Sequence, residues 1–133
     1  MIRWSETGML KCMQNPTDEA YEIKLHAPEI TFIGASKQPD FATADITFYP
    51  NKNVVELKSL KQYFYQFRDS HISYERIINT VYDDLIEIYS PKRIRIVMKF
   101  NTRGGITSKL TIDSDWKVRG GKEEFNDWSK SEE

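Results

Sequence analysis

Glu56-Leu57-Lys58-Ser59-Leu60-Lys61-Gln62-Tyr63 is the stretch on which the reading of this chain turns. On a helix, Lys58 and Lys61 share one face, while Leu57, Leu60 and Phe64 share another at i, i+3 and i+7. Paired ammonium groups on an anchored helix suit an anionic ligand, such as the phosphates of a cofactor. The same spacing describes an ordinary amphipathic helix with a solvated charged face, and periodicity alone favours that simpler reading.

Outward from this helix the pattern is regular. Upstream, Tyr21 to Leu25 alternates apolar and polar residues as a half-buried strand does, and Ile30 to Ile33 continues it beyond Pro28. Gly34 to Pro39 reads as a loop, with Pro39 fixing the backbone just ahead of Asp40. Ala42 to Tyr49 alternates again, and Pro50 to Asn53 turns the chain out of that strand. The first helix is expected from about Glu56 to Arg68. Ser73 is placed to cap a second, with Glu75 in its first turn where the helix dipole favours an anion. Ile77, Val81, Leu85 and Ile88 form the apolar stripe of that helix, and Pro91 lies beyond its end. Lys92 to Phe100 and Ile106 to Asp113 are two further strands, joined by a loop containing Arg103-Gly104-Gly105. The expected class is α+β, in the order ββααββ, with both helices on one face of an antiparallel sheet. Residues 1–133 fit a single domain with its core at about 20–113 and polar terminal arms, Met1 to Asp18 being extended or loosely packed.

Composition excludes more than it assigns. Nineteen basic and twenty acidic residues give a formal charge of −1, with no global pull toward nucleic acid or membrane. No apolar run reaches the length of a membrane span, and the N-terminus lacks a signal-peptide core, so a cytoplasmic protein is expected. The single cysteine, Cys12, forms no internal disulfide. It precedes the first expected strand and reads as a small hydrophobe. Cys12, His26 and His71 have no metal-ligand spacing, so no metal is expected. Lys92 to Arg103 carries five basic residues and no acid, which reads as a strand with a solvated face. Beyond Lys122 come Glu123, Glu124, Asp127, Glu132 and Glu133 against Lys130. Trp4, Trp116 and Trp128 are read as aromatics at subunit contacts.

Four motifs carry a resemblance: Gln38-Pro39-Asp40-Phe41-Ala42, the Glu56 to Lys61 run, Tyr74-Glu75, and Thr102-Arg103-Gly104-Gly105. In that order and spacing, from about Ile23 to Ile106, the chain resembles the QueF family, the NADPH-dependent 7-cyano-7-deazaguanine reductases of queuosine biosynthesis. The resemblance implies the tunnelling fold, a ring-shaped homo-oligomer of one or two stacked rings with sites between subunits, NADPH as cofactor and a small 7-deazapurine as ligand. It implies a catalytic role in proton transfer for Asp40, and a carboxyl held behind Pro39 and beside Phe41 suits that work. It implies substrate binding by Glu75, Glu56 and Tyr74. A carboxylate is the right acceptor for the adjacent N–H donors of a guanine-type edge. Lys58, Ser59, Lys61, Arg103, Gly104 and Gly105 fall where the family meets its cofactor, and two glycines let backbone N–H groups approach an anion closely.

Each of these residues also has a plain structural reading. Asp40 can be a turn aspartate, Glu75 a dipole-complementing glutamate, and Arg103-Gly104-Gly105 a tight hairpin. The chain departs from the family pattern in two places. Tyr74 stands where the family has histidine, which keeps an aromatic hydrogen-bonding group but loses titration near neutrality. Ile33 or Gly34 stands where the family has its nucleophilic cysteine, and neither can add to a nitrile carbon. Ser36 is the nearest hydroxyl, without an evident base. The expected function is therefore binding of 7-cyano-7-deazaguanine with NADPH-dependent nitrile reduction by resemblance. The alternatives are a relative that binds the base without reducing it, or one that runs a different reaction in the same pocket.

Overall fold

The computed structural model describes residues 3–34 and 37–123. Ser36, Trp128 and the acidic tail beyond Glu123 lie outside them. The described chain forms β1 (Cys12–Gln14), β2 (Ile23–Ile33), β3 (Pro39–Tyr49), β4 (Asn53–Val55), α1 (Leu57–Tyr65), α2 (Tyr74–Tyr89), β5 (Arg93–Arg103) and β6 (Ile106–Asp113), with short 3-10 turns after α1 and β6. Four strands make one antiparallel sheet in the order β2-β3-β5-β6, and β1 pairs with β4 in a small second ribbon. The α+β class and the ββααββ order of the main sheet are as expected; the β1–β4 ribbon is an addition.

The strands bury one face because their apolar residues alternate. Ala42, Ala44, Ile46 and Phe48 of β3 lie beside Ile94, Ile96, Met98 and Phe100 of β5, and α2 packs Ile77, Ile78, Val81 and Leu85 onto them. Strand β2 is continuous through Pro28. Its register against β3 slips between Ala27 and Ile30, where three steps on β2 span two on β3. β2 is an edge strand, where proline and a bulge are tolerated.

Two expectations are corrected here. Leu57 is 60% exposed, and the buried face of α1 is Ser59, Leu60, Tyr63 and Phe64. Leu57 is the first helical residue, ahead of the turn that packs, and Ser59 takes the inward position because its hydroxyl is used there. The N-terminal stretch is not a loose arm. Leu10 joins the core, and the buried Ser5 hydroxyl donates to Asp84, which also accepts from Tyr63 Oη at 2.5 Å. Two hydroxyl donors satisfy a carboxyl withdrawn from water, and so tie α1, α2 and the N-terminal segment together. Cys12 accordingly sits within β1, exposed, rather than before the first strand. No helix among the described residues is long and apolar enough to cross a membrane.

The helices run in opposite directions. Near the start of α1, Ser59 Oγ accepts from Lys11 N–H, and the Lys11 carbonyl accepts from Tyr89 Oη at the end of α2. After α1, the chain passes beside the end of β2, where Ile33 N–H donates to Ser70 O and Ile72 N–H to Ile33 O. Ser73 caps α2 as expected, its Oγ accepting from Arg76 N–H at 3.1 Å. Ser90 ends the helix in the left-handed conformation just before Pro91.

Candidate functional site

Asp40, the second residue of β3, is only 3% exposed. Its Oδ1 accepts from Phe41 N–H at 2.8 Å. Its Oδ2 accepts from Tyr74 Oη at 2.6 Å and lies 3.3 Å from Arg103 Nε. Three elements converge on one carboxyl: β3, the first residue of α2, and the tip of the β5–β6 hairpin.

Each partner is fixed by its own surroundings. The Tyr74 ring stacks flat on Phe100, with centroids 4.0 Å apart, and meets Phe32 edge-on at 5.9 Å. Burial, and then the Asp40 carboxyl, raise the pKa of its hydroxyl above the usual tyrosine value, so Tyr74 is held as a donor. Arg103 ends β5 one residue before Gly104 and Gly105, whose φ angles of 57° and 79° make the two-residue turn to Ile106. Glycine takes two successive positive φ values without strain. The turn aims the guanidinium back at Asp40 and at the Pro39 carbonyl, 2.5 Å from Nη2. Arg103, expected on a cofactor phosphate, is thus engaged with the candidate acid.

Gly34 closes the fourth side. It is buried, and a Cβ built on it would lie 3.3 Å from Asp40 Oδ2. Its N–H donates to Gln38 O and its carbonyl accepts from Lys37 N–H, which fixes Gly34 against the start of β3. Glu75 follows Tyr74 with its side chain exposed, and its backbone carbonyl accepts from Asn79 Nδ2. Asn79 and Tyr82, at i+4 and i+7 from Glu75, line an open groove of about 680 Å³ between α2 and β6, with Ile78, Leu110 and Ile112.

The other expected residues lie elsewhere in the chain. Glu56 is the N-cap of α1; its carboxylate accepts from Ser59 N–H at 2.8 Å and Lys58 N–H at 3.2 Å. The Ser59 N–H is the main reason its pKa is lowered. Ser59 is buried and donates to the Glu56 carbonyl at 2.8 Å. Both belong to the junction of Lys11 and Tyr89, at the far end of α2 from Tyr74. Fifteen helical steps put roughly 22 Å between those ends. Lys58 and Lys61 are exposed on the outer side of α1. Cys12 keeps its sulfur near Ile88 O, also at the far end. His26 pairs with Asp45 on the sheet, and His71 bridges to Ile33. Trp116 is buried within its own chain, and Trp4 lies under the Arg76 guanidinium.

Arg103–Asp40 and Tyr74–Asp40 are the contacts that sequence reasoning missed. The residues were singled out, but nothing in their spacing says that the hairpin tip and the helix start meet on the same oxygen.

Residues 39–119, from the proline before Asp40 to beyond β6, match the family described as QueF-like protein. The chain belongs to this family. It is 42% identical over 96 residues to the NADPH-dependent 7-cyano-7-deazaguanine reductase of Chlorobaculum tepidum, covering 71% of this chain and 82% of the relative. It is 41% identical over 117 residues to the enzyme of the same name from Prochlorococcus marinus (strain MIT 9515), covering 86% of each. Among solved structures, the archaeosine synthase QueF-Like in its apo form superposes with a TM-score of 0.61 at 14% identity, over 71% of this chain and 91% of that one. QueF-like membership and the ββααββ tunnelling arrangement therefore stand together.

Proposed function

We propose that this QueF-like chain binds 7-cyano-7-deazaguanine beside Asp40 and reduces its nitrile with NADPH. The observation that carries this reading is the buried Asp40 carboxyl, held by Arg103 and by Tyr74, the residue before Glu75, in a chain 41% identical to a reductase of that name over most of its length.

Reduction of a nitrile to an aminomethyl group takes two hydrides, which NADPH supplies when bound, and two protons. The protons fall to this chain's residues. Asp40 Oδ2 is the oxygen on which Tyr74 Oη and Arg103 Nε converge, so a nitrile nitrogen placed there meets a carboxyl of fixed orientation. The Tyr74 hydroxyl stays protonated and orients that oxygen, and each proton that Asp40 passes to the nitrogen is replaced on it from solvent. Glu75, exposed in the first turn of α2, offers an acceptor to the ring's N–H donors, as the dipole of the helix favours. The cations that fit cofactor phosphates are Lys58 and Lys61, exposed on α1. Gly104 and Gly105 serve the hairpin that delivers Arg103, and Ser59 serves the junction of α1.

Glu56 reaches a ring at Asp40 only from another copy, since the two lie at opposite ends of α2. An assembly with sites between subunits accommodates this, and the open edges of β2 and β6 are available to build it. A soluble ring-shaped homo-oligomer in the cytoplasm is the corresponding reading of the assembly.

One observation favours a second reading, in which the base is bound but not reduced. Beside Asp40 the chain presents Gly34, without a side chain, and its single cysteine stands at the other end of α2. A covalent thioimide then has no carrier. NADPH oxidation strictly dependent on 7-cyano-7-deazaguanine decides for reduction. Calorimetric binding of the base with no turnover decides for the second reading, and neither binding nor turnover rejects both.

A further inference from the structure

Between Leu57 and Arg68 the chain carries three cations, Lys58, Lys61 and Arg68, and no acid. With Tyr65 they recur at i, i+3, i+7 and i+10, along one outward line of α1 and the turn that extends it. Tyr65 is 49% exposed on that line. The Arg68 guanidinium lies 4.5 Å from the centre of its ring and the Lys61 ammonium 5.7 Å. One aromatic ring thus gathers two like charges that would otherwise separate into solvent.

We infer that Tyr65, Lys61 and Arg68 form a phosphate clamp for the dinucleotide cofactor. This rests on the reading that NADPH is the reductant. It adds two residues, Tyr65 and Arg68, outside the motifs that suggested the cofactor. Two cations drawn to a common ring repel each other, and a shared phosphate relieves that repulsion while accepting charge-assisted hydrogen bonds. Position supports the assignment. Arg68 is followed by Ser70 and Ile72, both bonded to Ile33, the neighbour of Gly34 beside Asp40. The cationic line therefore leads along α1 toward the candidate pocket, the direction a dinucleotide must take to bring its nicotinamide there. The clamp is assembled by packing on Tyr65, so its electrostatics depend on a residue that carries no charge.

The test is calorimetric binding of NADPH and NADH to the full chain, read together with thermal melting. Arg68→Gln and Lys61→Gln each weaken NADPH by about tenfold, the loss of one charge-assisted contact. Tyr65→Leu weakens it comparably although no charge changes, whereas Tyr65→Phe, which keeps the ring face, leaves affinity near the parent value. Because all three side chains are exposed, melting temperatures stay close to the parent. A loss confined to NADPH assigns the clamp to the 2′-phosphate, and an equal loss for NADH assigns it to the pyrophosphate. Parent-like NADPH affinity in Arg68→Gln and Tyr65→Leu overturns the clamp and leaves the cofactor reading intact. Failure of the parent chain to bind NADPH overturns both.

Discussion

Tyr74 donates to Asp40 Oδ2 at 2.6 Å while its ring lies on Phe100 at 4.0 Å, so one side chain orients the candidate acid and closes the core beneath it. The two duties are separable. Tyr74→Phe keeps the stack and deletes the donor. We expect its melting temperature to stay near the parent's and its turnover of, or affinity for, 7-cyano-7-deazaguanine to fall by about tenfold. Parent-like activity would remove Tyr74 from the site.

The same hydroxyl gives a pH prediction. Burial and Asp40 raise its pKa above the ordinary tyrosine range, so it contributes no ionisation near neutrality. Tyr74→His places a titrating imidazole on that spot. A new inflection near pH 6.5, roughly the unperturbed histidine value, is expected in the pH dependence of base binding. An unchanged profile would mean that position 74 does not communicate with the ligand.

Gly34→Cys directs a thiol at the site, since its Cβ falls 3.3 Å from Asp40 Oδ2. Incubation with 7-cyano-7-deazaguanine should yield a protein whose intact mass rises by that of the base. Ile33→Cys should react less, because Phe32 turns into the core and its neighbour turns to the other face of β2. No adduct at either position, together with no binding by the parent, would remove the nitrile substrate from consideration.

Glu75→Ala should abolish base binding without unfolding the chain, because the side chain is exposed and Asn79 bonds only its carbonyl. Unchanged calorimetric affinity would refute the assignment. Ser73→Ala, two residues earlier, should do the opposite. Loss of the cap on Arg76 N–H costs about 1 kcal/mol of stability by urea denaturation, with smaller effects on ligand affinity.

A stability prediction concerns Asp113, which is fully buried between Arg93 and Arg95. Burial alone would raise its pKa. The Arg93 hydrogen bonds, the Asp115 N–H and Arg95 outweigh that and hold it below the ordinary aspartate value. A lowered folded-state pKa means that the contribution is complete above the unfolded-chain value, about 3.9, and fades as pH falls through the folded one. Unfolding free energy should therefore drop below about pH 4. In Arg93→Ala it should already be lower at neutral pH by roughly 3 kcal/mol, with a flatter acid limb. Parallel acid limbs in the two proteins would contradict this.

The helices and main strands were legible because each carries its own period and punctuation. Ser73, Pro91 and the alternation of Ala42 to Tyr49 act locally. What escaped was long-range. Cys12 pairs with Val55, Ser5 with Asp84, and Lys11 with Ser59, across separations that leave no mark on the intervening sequence. Those contacts put Ser59 and Glu56 to work holding the start of α1, a duty their motif does not reveal. In the candidate site, Asp40, Tyr74 and Arg103 were named individually from their motifs. Their meeting on one oxygen depends on where a glycine hairpin and a helix start arrive in space.

The slipped register of β2 has a remote effect. Before the slip the odd-numbered residues Ile23, Leu25 and Ala27 face the core; after it the even-numbered Ile30 and Phe32 do. One surplus residue near Pro28 thus acts as a parity switch, deciding which side chain of the strand arrives opposite Asp40. Deleting a single residue between Ala27 and Ile30 would leave a regular strand with Phe32 still opposite Asp40, whereas pairing the full-length strand without the slip would swing Phe32 outward and Ile33 inward, so the damage would surface at the far tip of the strand.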